Sequence, residues 1–110
     1  MANIYKNAMS DLTTANATLY TTPSDSRAII QTIQVANDTS NNNNVDVFVR
    51  DSSAGTDHEI SHDQLSTKET INLAKGPIIL EENDYIFAKA GANGSAHLTL
   101  AILEINRNDQ

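Results

Sequence analysis

The stretch Arg27–Asn37, RAIIQTIQVAN, constrains the fold more than any other part of the chain. Ile29, Ile33 and Val35 share one parity, with Gln31 between them, while Ala28, Ile30, Thr32, Gln34 and Ala36 take the other. A helix would repeat its apolar positions at three and four residues. This pattern is mostly period two, and its β-branched side chains suit a half-buried pleated surface. It predicts a central strand whose Ile29, Ile33 and Val35 face needs partners.

The rest of the chain supplies candidates. Val45, Val47 and Val49 alternate with Asp46, Phe48 and Arg50, the cleanest strand pattern present, with Phe48 on the polar side. Ala17–Thr22 reads as a short strand with Leu19 inward, ended by the turn Thr22-Pro23-Ser24-Asp25. Asn37–Asn44 has turn formers throughout and predicts an exposed loop, and Asp51–Asp57 predicts another turn. Further on, Ile71 and Leu73 share a parity, Lys75-Gly76-Pro77 breaks the chain, and Ile78–Leu80 is apolar. Asn93-Gly94 between YIFAKA and AHLTLAILEI predicts a type I′ hairpin, since both central residues of that turn need positive φ. Its register would set residue i against 187 − i, placing Tyr85 opposite Ile102, Phe87 opposite Leu100 and His97 opposite Ala90. The last strand is long and apolar enough to lie centrally or to be covered on both sides. About eight short strands with no convincing helix predict an all-β, antiparallel β-sandwich of jelly-roll-like form. Residues 15–110 would make this single domain. Residues 1–14, with isolated apolar side chains at Ile4, Tyr5, Met9 and Leu12, would form an N-terminal arm on a surface.

Composition bounds the function. At 110 residues the chain is one domain, for which a radius of gyration of about 13 Å is expected. It has no cysteine, so disulfides and thiolate metal sites are excluded and the redox compartment is left open. A net charge of −7, with basic residues scattered from Lys6 to Arg107, disfavours direct nucleic-acid binding. No apolar run approaches the roughly 18 residues of a membrane span, and MANIYKNAMS lacks a signal-peptide core, so cytosolic synthesis is expected. The Asn-x-Ser/Thr triplets at Asn16, Asn37 and Asn93 then read as chance matches rather than glycosylation sites.

His58-Glu59-Ile60-Ser61-His62 matches H-E-x-x-H, in which two histidines one helical turn apart hold zinc and the glutamate acts as base. On a helix the pair would sit about 6 Å apart. Here Ile60 and Leu65 are the only apolar residues before Ile71, too few to bury a helix face. On a strand the two would be roughly 13 Å apart, too far for one ion bound at about 2 Å from each. A polar strand or loop with solvated histidines is expected, with no catalytic zinc; the alternative at His58 and His62 is a non-catalytic metal site between subunits. Glu81, Glu82 and Asp84 lack EF-hand spacing and read as a solvated corner rather than a calcium site. Tyr5, Tyr20 and Tyr85 are spread along the chain and suit core or interface positions better than sugar stacking. Neither a phosphate loop nor a nucleophile elbow is present. No enzyme activity, cofactor or metal is expected.

Over most of its length the chain resembles small virion proteins of tailed bacteriophages. The resemblance rests on MANIYKN, DLTT with TLYTTPSDSRAIIQTIQVAN, VDVFVRDSS, PIILEEND and HLTLAILEI, and leaves 57–70 unmatched. It implies a non-enzymatic structural protein on the virion capsid surface, most simply a capsid decoration (cement) protein. Such domains bind in several copies, often as homotrimers, over junctions of the major capsid protein. Contacts are then expected from Met1, Ala2, Asn3, Ile4, Tyr5, Lys6, Asn7 and Phe48. The alternative is a tail, neck or head-fibre accessory module binding host glycan or another virion protein.

Overall fold

The computed structural model describes residues 2–94 and 96–106. Among the described residues there are nine strands: β1 (Ala2–Leu12), β2 (Ala17–Thr21), β3 (Ser26–Asn37), β4 (Asn43–Asp51), β5 (Thr56–Leu65), β6 (Thr70–Asn72), β7 (Ile78–Leu80), β8 (Tyr85–Ala90) and β9 (Ala96–Asn106). They form two antiparallel sheets. Sheet I runs β1-β9-β3-β6, with β7 also pairing with β3, and sheet II runs β2-β8-β4-β5. Crossing between sheets at most connections, this order is a jelly roll, an arrangement that leaves few strand edges open. Nine strands appear rather than eight because β6 and β7 share one position along β3. The Lys75-Gly76-Pro77 break separates them, and proline cannot donate to the ladder. The radius of gyration, 14.2 Å, exceeds that of a sphere-like domain, because strands of eleven and twelve residues stretch the sandwich to 49 Å.

The core lies between the sheets. Ala28, Ile30, Ile33 and Val35 of β3 and Leu98, Leu100 and Ile102 of β9 face Val45 and Val47 of β4 and Ile86 and Ala88 of β8. The valine alternation of β4 therefore has its expected orientation. In β3 the core face differs from the expected one. Ile30 pairs with Ile102 and Thr32 with Ala101, leaving Gln31 as an extra residue. This β-bulge switches the parity of the strand, so that Ala28 and Ile30 precede it and Ile33 and Val35 follow it on one buried face. Ile29 is turned to the opposite side.

The hairpin expected at Asn93-Gly94 does not form. β8 and β9 belong to different sheets, so Tyr85 pairs with Arg50 and Thr21, while Ile102 pairs with Lys6 and Ile30. Only Gly94 of the dipeptide has positive φ, +73°. Its N–H donates to the Leu12 carbonyl at 2.9 Å, and the Asn93 side-chain oxygen accepts from the Thr14 N–H at 2.8 Å. The turn thus docks on the β1–β2 connection. A strand apolar on both parities gains more as the second strand of a sheet than in an isolated hairpin, and β9 lies between β1 and β3. The four-residue hairpin of this chain is β4–β5, where Gly55 adopts φ +71° and donates its N–H to the Asp51 carbonyl.

Residues expected as an arm run instead along β9 as the edge strand β1, paired from Ala2 to Leu12. Within the expected loop after β3, Asn37 is buried. Its side-chain N–H₂ donates to the carbonyls of Asn41, Leu65 and Ser66, and its Oδ1 accepts from Thr39. One side chain thereby ties the β3–β4 and β5–β6 connections together.

Candidate interaction surface

The outer face of sheet I carries a row of apolar side chains that crosses four strands. Tyr5 of β1 pairs with Leu103 of β9, Leu103 with Ile29 of β3, and Ile29 with Ile79 of β7. Tyr5 is 77% exposed and Ile79 64%, with Leu103 and Ile29 half-buried between them. Ile105 and Ala101 flank the row on β9, and Met9, 71% exposed, stands four residues along β1 from Tyr5. Two local causes build this surface. The apolar second parity of β9 supplies Ala101, Leu103 and Ile105, and the bulge at Gln31 turns Ile29 outward. Single exposed apolar residues are ordinary, but a contiguous band marks an interaction surface.

Polar groups border the band. Arg27 approaches Glu81 at 3.8 Å beyond the Ile29–Ile79 pair. At the far end of the sheet His97 donates its Nδ1–H to the Asp11 carboxylate, 2.6 Å away, and its Nε2 lies 3.6 Å from Asp38, which also pairs with Lys68. The hydrogen bond to Asp11 raises the His97 pKa, against a smaller opposing effect of burial.

The residues expected to make contacts divide between places. Met1 lies outside the described residues, and Ala2 begins β1. Asn3, Tyr5 and Asn7 point outward from β1, whereas Ile4 and Lys6 occupy the parity that faces the opposite sheet. Phe48 is on the outer face of sheet II, stacked on Phe87 with ring centroids 5.0 Å apart and the Lys89 ammonium 6.0 Å from its ring. Tyr85 leans on Phe87 at 5.9 Å. Phe48 and Tyr5 therefore belong to different surfaces. Asn16, Thr18, Asp57, Tyr85 and Phe87 line a small depression of about 170 Å³ beside this aromatic group.

A larger cleft of about 460 Å³ opens where the β7 side of sheet I meets the β5 edge of sheet II, lined by Val49, His58, Ile60, Ile78 and Ile79 among others. Glu81 and Asp84 also border it. The buried Asp84 carboxylate accepts from the N–H groups of Ser52 and Glu81, which fixes the corner after β7. Tyr20 sits between the sheets with its hydroxyl on Glu104, so of the three tyrosines only Tyr5 belongs to the apolar band.

Leu103, Ile105 and Ile29 escaped sequence reasoning as surface residues. The signal for the first two was present in the double-parity apolar pattern of β9, which implied cover on both faces. The chain itself covers only one.

No family of known sequences matches this chain, and no curated protein sequence does so. Among solved structures, the fold is similar to part of a chain of the T13 viral particle of infectious bursal disease virus, with a TM-score of 0.52 at 9% identity. That likeness covers 94% of this chain and 30% of the viral one. A chain of the extra small virus of the giant freshwater prawn Macrobrachium rosenbergii gives a TM-score of 0.41 at 13% identity, covering 94% and 79%. A chain of infectious bursal disease virus strain Gx gives 0.37 at 9%, covering 100% and 35%. This chain spans about a third of the length of the bursal disease virus chains, and the likeness is one of fold.

Proposed function

We propose that this protein is a non-enzymatic structural component of a virion, and that its role is capsid decoration in a tailed bacteriophage. The observation that carries this reading is the apolar band Tyr5–Leu103–Ile29–Ile79 across the outer face of sheet I. A cement protein needs a preformed surface on a rigid domain that can sit over a junction between capsid subunits. A sheet face held by β1, β9, β3 and β7 supplies one without a folding cost on binding. The similarity of fold to a chain of an icosahedral particle supports the same direction, although a fold by itself carries no role. Several copies, arranged as homotrimers around the junction, would combine modest interfaces into stable clamping of the head. The partner is the major capsid protein, and the protein resides on the capsid surface after synthesis in the host cytoplasm.

Because β1 pairs with β9 along its whole length, truncation would remove a sheet edge, and point changes test the idea more cleanly. The double variant Tyr5→Ser/Met9→Ser should retain its thermal melt and lose affinity for undecorated particles. Unchanged particle binding by this variant would remove the reading. A low copy number on the particle, at a tail or neck position, would favour the second reading, a glycan- or fibre-binding accessory module. The depression lined by Asn16, Thr18, Asp57, Tyr85 and Phe87 favours that alternative, because it combines aromatic faces with hydrogen-bonding groups.

A further inference from the structure

β5 is the edge strand of sheet II, and its pairing with β4 is broken by an extra residue. Val47 faces Ser61, yet the next residue, Phe48, faces Glu59, which leaves Ile60 as a bulge. In a regular strand Glu59 and His62, three residues apart, would point to opposite faces. The bulge places both on the outer face, Glu59 opposite Phe48 and His62 opposite Asp46. A carboxylate oxygen from each of Asp46 and Glu59 and a ring nitrogen of His62 then lie within 4.8 Å of one another.

We infer that Asp46, Glu59 and His62 form a binding site for a transition-metal dication of the zinc class, with the remaining coordination positions open to solvent. Four-coordinate zinc holds its N and O donors at about 2.0–2.2 Å, so donors stand roughly 3.4 Å from one another. Two of the three are already together, since Nδ1 of His62 contacts Oδ1 of Asp46. Asp46 is largely covered, with a side chain 19% exposed, which fixes its direction from a central strand. Glu59 is exposed and reaches the other two by a change of rotamer. Two carboxylates balance the charge of a dication, and one imidazole selects zinc, nickel or cobalt over calcium and magnesium, which prefer oxygen alone. His58 is excluded. It pairs with Val49 and lines the cleft with Ile60, on the side away from His62. The histidines of H-E-x-x-H thus do not chelate as a pair, and the metal-binding half of the motif is Glu59 with His62, completed by Asp46 from the neighbouring strand. Lys89, which pairs with Asp46 from β8 and lies over the Phe48 ring, is a positive charge beside the site on this face.

The test is calorimetric titration of the full chain with zinc chloride at pH 8, alongside His62→Ala, Glu59→Gln, Lys89→Gln and His58→Ala. Binding of about one zinc per chain is expected, weakened about tenfold or more by the first two changes, a loss typical of disturbed metal sites. Lys89→Gln should bind more tightly and His58→Ala as the wild type does. All four positions are on the surface, so circular dichroism should show unchanged folding. Absence of stoichiometric zinc binding, an equal loss in His58→Ala, or magnesium binding as tight as zinc would each overturn the assignment.

Discussion

Replacing Tyr20 with phenylalanine should destabilise the sandwich out of proportion to the single oxygen removed. Glu104 lies on the inner face of β9, 4% exposed. Its Oε2 accepts from the Tyr20 hydroxyl at 2.5 Å and from the Lys6 ammonium at 3.0 Å. Burial pushes the Glu104 pKa up, but these two donors outweigh it and hold the carboxyl below its ordinary value. Burial, reinforced by the Glu104 carboxylate, raises the pKa of Tyr20. The contact joins β1 and β9 of one sheet to β2 of the other and so steadies the strand that presents Tyr5 and Met9. Phenylalanine keeps the ring packing and leaves the buried carboxylate with Lys6 alone. A hydrogen bond to a charged group is worth about 1.5–3 kcal/mol. A loss of about 2 kcal/mol is expected, which for a domain of this size lowers Tm by roughly 8 °C. Lys6→Met should cost less, about 1 kcal/mol, because the Lys6 side chain is 41% exposed and water screens its charge. The two donors share one oxygen, so the double variant should depart from additivity. Because the folded pKa of Glu104 is depressed, its stabilisation is complete above the unfolded value of about 4.3 and is lost as pH falls through the folded value. Urea melts should therefore weaken on the acid side of about pH 5, with a shallower decline in Glu104→Gln. A Tyr20→Phe protein within about 0.5 kcal/mol of wild type, together with an unaltered acid limb in Glu104→Gln, would refute this account of the buried carboxylate.

Ile33→Ala, at a fully buried position, should cost about 3 kcal/mol in guanidinium melts through lost burial and the cavity left behind. Deleting Gln31 should abolish cooperative unfolding, because Ile33 and Val35 would then turn outward, whereas Gln31→Ala at this exposed position should stay within about 0.5 kcal/mol in the same assay. Asn37→Ala should cost about 2 kcal/mol and speed amide exchange at Thr39, since three buried or half-buried carbonyls lose their donor and the Thr39 N–H its acceptor. NMR titration should find the His97 pKa above its ordinary value and lowered in Asp11→Asn. The stabilisation from that contact is present below the unfolded pKa and lost as pH rises through the folded one.

Much of the architecture was legible in local patterns. Val45 and Val47 show their orientation by alternation alone, Lys75-Gly76-Pro77 announces the split between β6 and β7, and Gly55 marks a turn. Period-two segments with no helix face to bury are enough for an antiparallel sandwich. The surface was legible only in part. Tyr5 was marked as an isolated apolar residue among polar ones, but its neighbours in the band, Leu103, Ile29 and Ile79, are distant in sequence and meet only through strand order.

Alternation, turn chemistry and composition, all local properties, determined the strand content and the acidic character of this protein. Tertiary structure decided which strands pair, and with them the extra residues at Leu19, Gln31 and Ile60 that interrupt the ladders. A bulge has no strong local preference of its own; at Leu19 and Ile60 it falls on the edge strands β2 and β5, and at Gln31 between two strands each held by another neighbour. Because the side-chain period is two, each such residue reverses every side chain beyond it. That reversal turns Tyr20 inward onto Glu104, sends Ile29 outward into the apolar band, and brings Glu59 and His62 to one face beside Asp46.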